Sequence, residues 1–244
     1  NISGTMTGPL NQFHLENFLV TNPKVNIRTE TMKVSNILKG NFQIETNSLS
    51  TDLTYVDLKE MMPTFISSKM KNFADDFGRL KYNGAVRVTP KEVFVPKANL
   101  ITGIGQAKIT NFYLNDYSSA LPKYRGFAEV NDLNTSVITK SKEVGLISGK
   151  FNLQGESFDV NTMRLKTRSQ ISKIEILNKE INTIYLDGFL DHKTYKGIVN
   201  LNDDQAKANV NGFIDFRTKK LFADVTADVQ FLNLNYFTGG KGSQ

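Results

Sequence analysis

The sequence predicts a mainly β fold made of long antiparallel strands, and three observations lead to that prediction. From Leu221 to Phe231 every second residue is apolar, and the residues between them are mostly polar. This is the pattern of a strand with one buried face and one solvated face. Segments of the same kind recur about every 10–15 residues. Only one segment has helical periodicity, so successive strands are expected to pair as an antiparallel meander.

The first half of the chain is expected to form strands around one helical insert. A turn at Gly8-Pro9 separates the first strand from a second strand that ends at Val20. The insert is predicted at 57–77, because Thr64 can cap a helix whose apolar residues follow at mostly three- and four-residue steps. Further strands are predicted at 24–34, 40–45, 48–55, 84–88, 92–100, 103–113 and 126–130.

The second half of the chain is predicted to contain strands alone, separated by polar turns. The strands are expected at 143–153, 157–165, 170–176, 181–190, 195–201, 206–216 and 221–231. Polar residues that favour turns mark the intervals at Asn131-Asp132, at 191–193, at 202–204 and at 218–220.

The apolar faces of the last four strands are expected to align into one apolar wall, because neighbouring strands in a sheet share their faces. Small residues on these faces slightly favour open space over a filled core; they are Ala206, Ala208, Gly212, Ala223 and Ala227. The residues predicted to line the wall are Ile184, Leu186, Leu190, Val199, Leu201, Val210, Ile214, Phe216, Leu221, Val225, Val229 and Phe231.

Composition limits the possible function classes. The chain has no cysteine, so disulfides, zinc–thiolate sites and thiol nucleophiles are excluded. The net charge is +6 and charges of both signs are interspersed, so a nucleic-acid partner is not expected. No apolar run approaches the roughly 18 residues of a membrane-spanning helix. Because the sequence opens in a strand and closes on the glycine-rich stretch 239–244, we expect it to be a fragment of a longer protein.

The residues that carry most enzyme chemistry are absent or scattered. Only His14 and His192 are present, and no nucleophile is accompanied by a base and an orienting group. Asp187, Asp191 and His192 could be combined with Asp203 and Asp204 into a metal site, but they mark turns and outward positions. The sequence therefore predicts no catalytic residue, no metal, no cofactor and no enzyme activity.

The order of several segments resembles that of a known family. The chain opens on a strand pair, a helical insert ending near Gly78 follows, and glycine-containing strands then repeat. The segments that carry the resemblance are 2–10, 15–18, Thr51-Asp52-Leu53, Tyr82-Asn83-Gly84, Gly188-Phe189-Leu190 and 211–216. Their order over nearly the whole chain resembles the TamB family of the translocation and assembly module, in its Bacteroidetes-type form, within the AsmA-like group.

The resemblance implies a fold, a location and a function. Residues 1–238 would form one β-groove segment, a sheet curled into a U-shaped groove (a β-taco) with an apolar interior, and 239–244 a loop or fragment end. It would be a periplasmic segment of an inner-membrane-anchored protein of Gram-negative bacteria. It would conduct phospholipid acyl chains toward the outer membrane and support outer-membrane assembly with a barrel partner bound through parts outside this fragment.

Two structural outcomes are consistent with a one-sided sheet. A sheet with one apolar face closes on itself, packs on another sheet or contacts an apolar ligand. In the groove interpretation the twelve wall residues contact acyl chains, and flanking segments of the same chain pair with the open sheet edges. The alternative is a structural β-solenoid or surface-adhesion module with a filled core, which would present polar or aromatic binding sites on its outside.

Overall fold

A computed structural model describes residues 1–54, 56–57, 60, 77–139, 142–159, 161–218 and 222–238. The fold is mainly β, as predicted, and its strands form one antiparallel sheet whose spatial order follows the chain from β1 to β14. The strands are β1 Ile2–Thr7, β2 Gln12–Thr21, β3 Asn26–Ser35, β4 Gln43–Thr54, β5 Arg79–Val88, β6 Glu92–Thr102, β7 Gly105–Asn115, β8 Lys123–Asn134, β9 Val144–Glu156, β10 Arg164–Ile176, β11 Lys179–Asp191, β12 Thr194–Asn202, β13 Ala206–Asp215 and β14 Phe222–Leu232.

Three of the predicted boundaries are wrong for local reasons. The strands expected at 40–45 and 48–55 are one strand, β4, which contains an irregular step between Thr46 and Leu49. The strand expected at 157–165 is not formed by the described residues before Arg164, where β10 begins, because Asp159 accepts hydrogen bonds from the backbone N–H groups of residues 161 and 162. The turn expected at Asn131-Asp132 lies inside β8.

Helical structure is brief among the described residues. A 3-10 turn covers Ile37–Lys39, α1 covers Thr135–Thr139 and α2 covers Leu234–Thr238. The predicted insert at 57–77 lies largely outside the described residues, although Asp57 and Glu60 are helical. The predicted end segment, 239–244, also lies outside them.

The chain divides into two compact units. Unit 1 comprises 1–128 with 156–158, and unit 2 comprises 129–155 with 159–244. In unit 1 the buried hydrophobic residues include Val34, Leu53 and Val95, which come from three different strands. In unit 2 the core is a cluster of Ile171, Ile174, Ile181 and Ile184. Both units therefore bury one side of their sheet.

The strands of unit 1 keep one buried side although their alternation slips by one residue near the middle. In β3 the less exposed residues are Ile27 and Thr29 and then Met32 and Val34, a three-residue step instead of a two-residue step. Such a step would turn the side chains to the other face of a regular strand. Asn17 in β2 and Asn111 in β7 adopt φ values of 49° and 48° at the equivalent steps, and asparagine tolerates this left-handed conformation.

We call each such step the alternation break of its strand. At the break in β3, hydroxyl groups bond to backbone atoms that the ladder leaves unpaired. Thr29 donates to the carbonyl of Thr31 at 3.0 Å, and Thr29 and Thr46 share a hydrogen bond of 2.6 Å between their hydroxyl oxygens. The Ser48 hydroxyl accepts from the backbone N–H of Glu30 at 3.0 Å. Thr29 and Thr46 are fully buried, so these bonds avoid the cost of unsatisfied buried polar groups.

The strands of unit 2 also contain alternation breaks, with different side chains at the breaks. Ile171 and Ile174 in β10, and Ile181 and Ile184 in β11, are three residues apart and yet belong to one buried cluster. Thr183 lies at the break in β11 with φ 53°, and Asp132 lies in β8 with φ 47°. The Ser148 hydroxyl accepts from the backbone N–H of Asp132 at 2.9 Å. One left-handed residue therefore lets a long strand keep the same side buried along its whole length.

The hydroxyl cluster at the break of unit 1 makes a testable contribution to stability. Thr46→Val removes the acceptor for the Ser48 backbone N–H and the partner of the Thr29 hydroxyl. We expect the free energy of unfolding to fall by about 1–3 kcal/mol, because buried polar groups are left unsatisfied. Denaturant unfolding measures this change.

Thr51→Val is the matched control for that experiment. Thr51 lies on the same strand and face, aligned with Ile27 and Tyr82, and its side chain makes no hydrogen bond within the described part of the chain. Its replacement is expected to be neutral or slightly stabilising. Equal losses for the two variants would contradict the role assigned to the hydroxyl cluster.

Candidate lipid-binding face

The strand pairing in unit 2 brings most of the predicted wall residues together. Strands β11 to β14 align them in four rows that cross the sheet, and we call these rows the apolar face. The rows are Ile184–Leu201–Ala208–Val229, Leu186–Val199–Val210–Ala227, Gly188–Gly197–Gly212–Val225 and Leu190–Tyr195–Ile214–Ala223. Neighbouring strands lie about 4.8 Å apart and rows about 6.6 Å apart, so the face measures roughly 14 by 20 Å.

Nine of the twelve predicted wall residues fall in these rows, and three do not. Phe216 follows the end of β13 and is exposed. An irregularity between β13 and β14 places Phe231 opposite Lys207, so that Leu232 and not Phe231 aligns with Ala206. The strict alternation from Leu221 to Phe231 is therefore interrupted near its end. Leu221 lies outside the described residues.

The equivalent face of unit 1 is not among the faces predicted from the sequence. One row there crosses six strands and is entirely apolar; its residues are Phe13, Val34, Ile44, Val88, Val93 and Leu114. The alternation break hides this face from a search for period-2 patterns. Three-residue steps between apolar residues on either side of an asparagine, such as Leu15 to Phe18 around Asn17, are the signal that could have found it.

The chemistry of the apolar face in unit 2 is almost purely aliphatic. Tyr195 is the one residue of the four rows with a polar side-chain atom. Its hydroxyl donates to the carbonyl of Ile198 at 3.1 Å, and burial raises its pKa, so this donor is already engaged. The face offers van der Waals contact and no directional group with which to fix the position of a ligand.

A row of glycines gives the face its shape. A Cβ on Gly197 would lie 2.5 Å from Cα of Gly188 and 2.9 Å from the hydroxyl of Tyr195, and would also meet the carbonyl oxygen of Asp187. The Tyr195 side chain therefore lies over Gly188 of β11 and Gly197 of β12, which have no side chains. Tyr82 has the same arrangement in unit 1, since its hydroxyl donates to the carbonyl of Ala85 at 2.7 Å, with Gly84 between them.

Exposure increases across the apolar face toward β14. Ile184 in β11 is only 8% exposed, Val199 and Val210 are half-buried, and Val225 and Val229 in β14 are 40% and 52% exposed. At the β11 end the isoleucine cluster is packed by Phe151 and by Phe237 from α2. The face thus passes from a filled core at β10 and β11 to an accessible apolar surface at β13 and β14.

The opposite side of unit 2 carries paired charges beside exposed apolar side chains, among them Phe189, Ile198 and Phe222. Arg168 donates to Asp187 at 2.8 Å and Arg164 donates to Asp191 at 3.2 Å. Hydrogen bonding with His192, together with Arg164, lowers the pKa of Asp191. These ion pairs are exposed and contribute little to stability. Of the side chains that could be combined into a metal site, Asp187 and Asp191 thus pair with arginines, and Asp203 accepts backbone N–H groups.

The described residues were compared with the requirements of a metal site and of a membrane-spanning helix, and they meet neither. Within the described ranges, no group of three or more histidine or carboxylate side chains is placed to hold a metal ion. No helix among the same residues is long and apolar enough to cross a membrane.

Comparison of the chain with protein-family models, with curated proteins and with solved structures finds no match. The assignment of a function therefore depends on the sheet and its apolar face.

The glycine row can be tested by substitution. Gly197→Ala places a methyl group against the backbone of β11 and against the Tyr195 hydroxyl. We expect the free energy of unfolding to fall by about 1–3 kcal/mol, because the strands must separate or the tyrosine must move. Asn200→Ala, at an exposed position of the same strand, is the control and is expected to change stability by less than about 0.5 kcal/mol. A neutral Gly197→Ala would disprove the close contact.

Proposed function

We propose that this chain is a segment of a periplasm-spanning β-groove protein that conducts phospholipid acyl chains between the inner and outer membranes. The observation that carries the proposal is the apolar face of unit 2, in which half-buried and exposed aliphatic residues continue from an isoleucine core to the edge strand. Apolar side chains that a protein leaves accessible in a continuous patch commonly mark a binding surface. The same sheet would curl into the U-shaped groove, with this face as its apolar interior.

The chemistry of the face suits a ligand that moves. Each buried methylene of an acyl chain gains about 0.8 kcal/mol. Val199, Val210 and Ala227 lie in one row on three successive strands, so a chain moving from strand to strand leaves one aliphatic contact and meets another. Because no polar group of the face is free to bind a head group, no single position holds the lipid much more tightly than its neighbours. Contact along the row would therefore permit sliding.

The proposal includes the cellular setting implied by the TamB resemblance. The segment would belong to an inner-membrane-anchored protein of a Gram-negative bacterium and would support outer-membrane assembly. An outer-membrane barrel assembly protein would bind parts of the protein beyond these residues. The strands follow one another in the sheet in chain order and pair antiparallel. This arrangement is compatible with a long groove that is extended by further strands of the same kind.

A structural or surface-adhesion module is the second candidate. The four buried isoleucines and their aromatic neighbours in unit 2 are the observation in its favour, because they form an ordinary filled core. A solenoid, however, stacks its coils in register with parallel strands, whereas successive strands here pair antiparallel. The accessible residues of β13 and β14 are also unexplained by a filled core.

Photocrosslinking in cells tests the lipid proposal directly. In the full-length protein, a photoreactive residue replaces either Val210, in the second row of the apolar face, or Asn211, which points to the other side of β13. Lipid adducts at position 210 but not at position 211 are expected. No adduct at either position in a stably folded protein would favour the structural module. The same contrast between Val225 and Thr226 tests the edge strand.

A charge placed on the apolar face is expected to block conduction. Val210→Asp puts a carboxylate between Val199 and Ala227, where an acyl chain would have to desolvate it at a cost of several kcal/mol. We expect phospholipid delivery to the outer membrane to fall strongly, measured in cells whose only copy is the variant. Asn211→Asp introduces the same charge on the opposite side and should leave delivery unchanged, and immunoblotting confirms equal protein levels. Equal delivery by both variants would contradict the proposal.

A further inference from the structure

The outer side of unit 2, which is the side opposite the apolar face, carries large apolar residues on strands inside the sheet. Phe189 in β11 is 43% exposed and Ile198 in β12 is 39% exposed, and Phe213 in β13 is half-buried. Each of these strands has a hydrogen-bonded neighbour on both of its edges, so the exposure belongs to the face of the sheet. An exposed apolar patch rimmed by polar residues is a frequent mark of a binding surface.

Aromatic and basic side chains alternate in one row across these strands. Lys166 of β10 aligns with Phe189, and Phe189 aligns with Lys196 of β12. Lys196 aligns in turn with Phe213. Residues directly opposite each other in an antiparallel pair share one face of the sheet. We call these four residues the outer row.

The two lysines of the outer row are free to bind an anion. Within the described residues, neither Lys166 nor Lys196 forms an ion pair, and the Phe189 ring has no aromatic or cationic partner. The two arginines of β10 on either side of Lys166, in contrast, are each paired with an aspartate of β11. A ligand on the outer row would therefore meet two uncompensated positive charges and an open aromatic ring.

A depression of about 240 Å³ adjoins the outer row on the β9 side. Its lining includes Lys166 and Arg168 together with the amide side chains of Asn152 and Gln154 from β9. Both amides are exposed and have no hydrogen-bond partner in the part of the chain that the structure describes. Because a side-chain amide both donates and accepts hydrogen bonds, this end of the row can bind hydroxyl groups beside the charge of Lys166.

The spacing within the outer row limits what could bind there. Neighbouring strands lie about 4.8 Å apart, so the two lysines of the row are separated by about 10 Å, as are its two phenylalanines. This distance is close to the length of one disaccharide in an extended polysaccharide. A polysaccharide with a carboxylate on every second sugar would thus set a carboxylate at each lysine and a sugar ring at each phenylalanine.

We propose that the outer row and the adjoining depression bind an anionic polysaccharide that carries a carboxylate on every second sugar. The polysaccharide would cross the strands, with carboxylates at Lys166 and Lys196 and the apolar face of a sugar ring on Phe189. The amides of β9 would bind sugar hydroxyls. The inference does not depend on lipid conduction, which uses the other side of the sheet.

Two other classes of ligand fit the outer row less well. At a bilayer surface, insertion of Phe189 and Ile198 would also desolvate the charged pairs of β10 and β11 beside them. A nucleic acid carries a phosphate on every nucleotide, which is more negative charge than the two free lysines of the row can balance.

Two labelled hexasaccharides test the proposal. We expect the full-length protein to bind a hyaluronan hexasaccharide, in which every second sugar carries a carboxylate. Neutral N-acetylchitohexaose should bind about tenfold more weakly, because two ionic contacts are lost. Fluorescence anisotropy measures both affinities. Equal affinities, or no binding of hyaluronan, would overturn the proposal.

Variants at exposed positions assign the binding to the outer row. Lys166→Gln/Lys196→Gln should lower the affinity for hyaluronan to that for the neutral hexasaccharide, whereas Phe189→Ala should weaken both about tenfold, since either sugar chain stacks on the ring. Lys207→Gln is the control, because Lys207 is exposed on the same side of β13, about 20 Å from Phe213. It should change neither affinity. Hyaluronan binding that is indifferent to both row variants would contradict the assignment.

Further probes distinguish the other occupants and the other side of the sheet. Without hyaluronan binding, cosedimentation with phosphatidylglycerol vesicles that the double lysine variant abolishes would assign the row to a bilayer. Binding of a single-stranded oligonucleotide that Phe189→Ala abolishes would assign it to nucleic acid. Either result would overturn a polysaccharide as the occupant. Val210→Asp, on the apolar face, should leave hyaluronan binding unchanged, and its loss there would show that the outer row is not the binding site.

Discussion

The structure depends on one constraint: each long inner strand, such as β3, β10 or β11, must bury the same side of the sheet along ten or more residues. A regular strand would meet it by strict alternation, but several strands here contain an alternation break. At some of these breaks a left-handed residue, such as Asn17, Asn111 or Thr183, restores the buried side after a three-residue step, whereas the break in β3 contains none. The backbone groups released from the ladder are then bonded by side chains, as the hydroxyls of Thr29, Thr46 and Ser48 do in unit 1. Without both devices the apolar residues of each strand would be divided between two faces.

The functional interpretation depends on the uneven packing of the apolar side of unit 2, which is buried at one end and exposed at the other. Ile171 and Ile184 are buried by their neighbours, whereas Val225 and Val229 on the same side of unit 2 are largely exposed. A domain with a filled core would place bulky apolar side chains on this part of the face and cover them. Glycine and alanine occupy many of the positions in β12, β13 and β14 instead, which leaves space above the sheet. The absence of free polar groups in the rows then limits any ligand to one that binds through apolar contact.

Much of the fold could be predicted from sequence, because strand formation and strand order here are governed by local patterns. The alternation in β11 to β14 and the turn residues 191–193 predicted three correct strand pairs and nine residues of the apolar face. What could not be predicted depends on backbone conformation. Asp132 was predicted to lie in a turn because aspartate favours turns. It lies instead inside β8 with a left-handed φ, a conformation that aspartate also adopts in turns. The position of Phe231 could not be predicted, because it depends on the pairing register with β13, and periodicity alone does not determine that register.

The spatial order of the strands, which equals their order in the chain, has a consequence for folding. Every hydrogen-bonded neighbour of a strand is the preceding or the following strand. Each pair therefore forms by closing the one connection between two successive strands, and the sheet needs no crossover. A sheet of this kind can also grow from one end as the chain is synthesised or exported, since each completed hairpin is the template for the next strand. Addition or loss of a hairpin during evolution would change the length of the sheet and leave the remaining pairs intact, as in repeat proteins whose units contact only their neighbours.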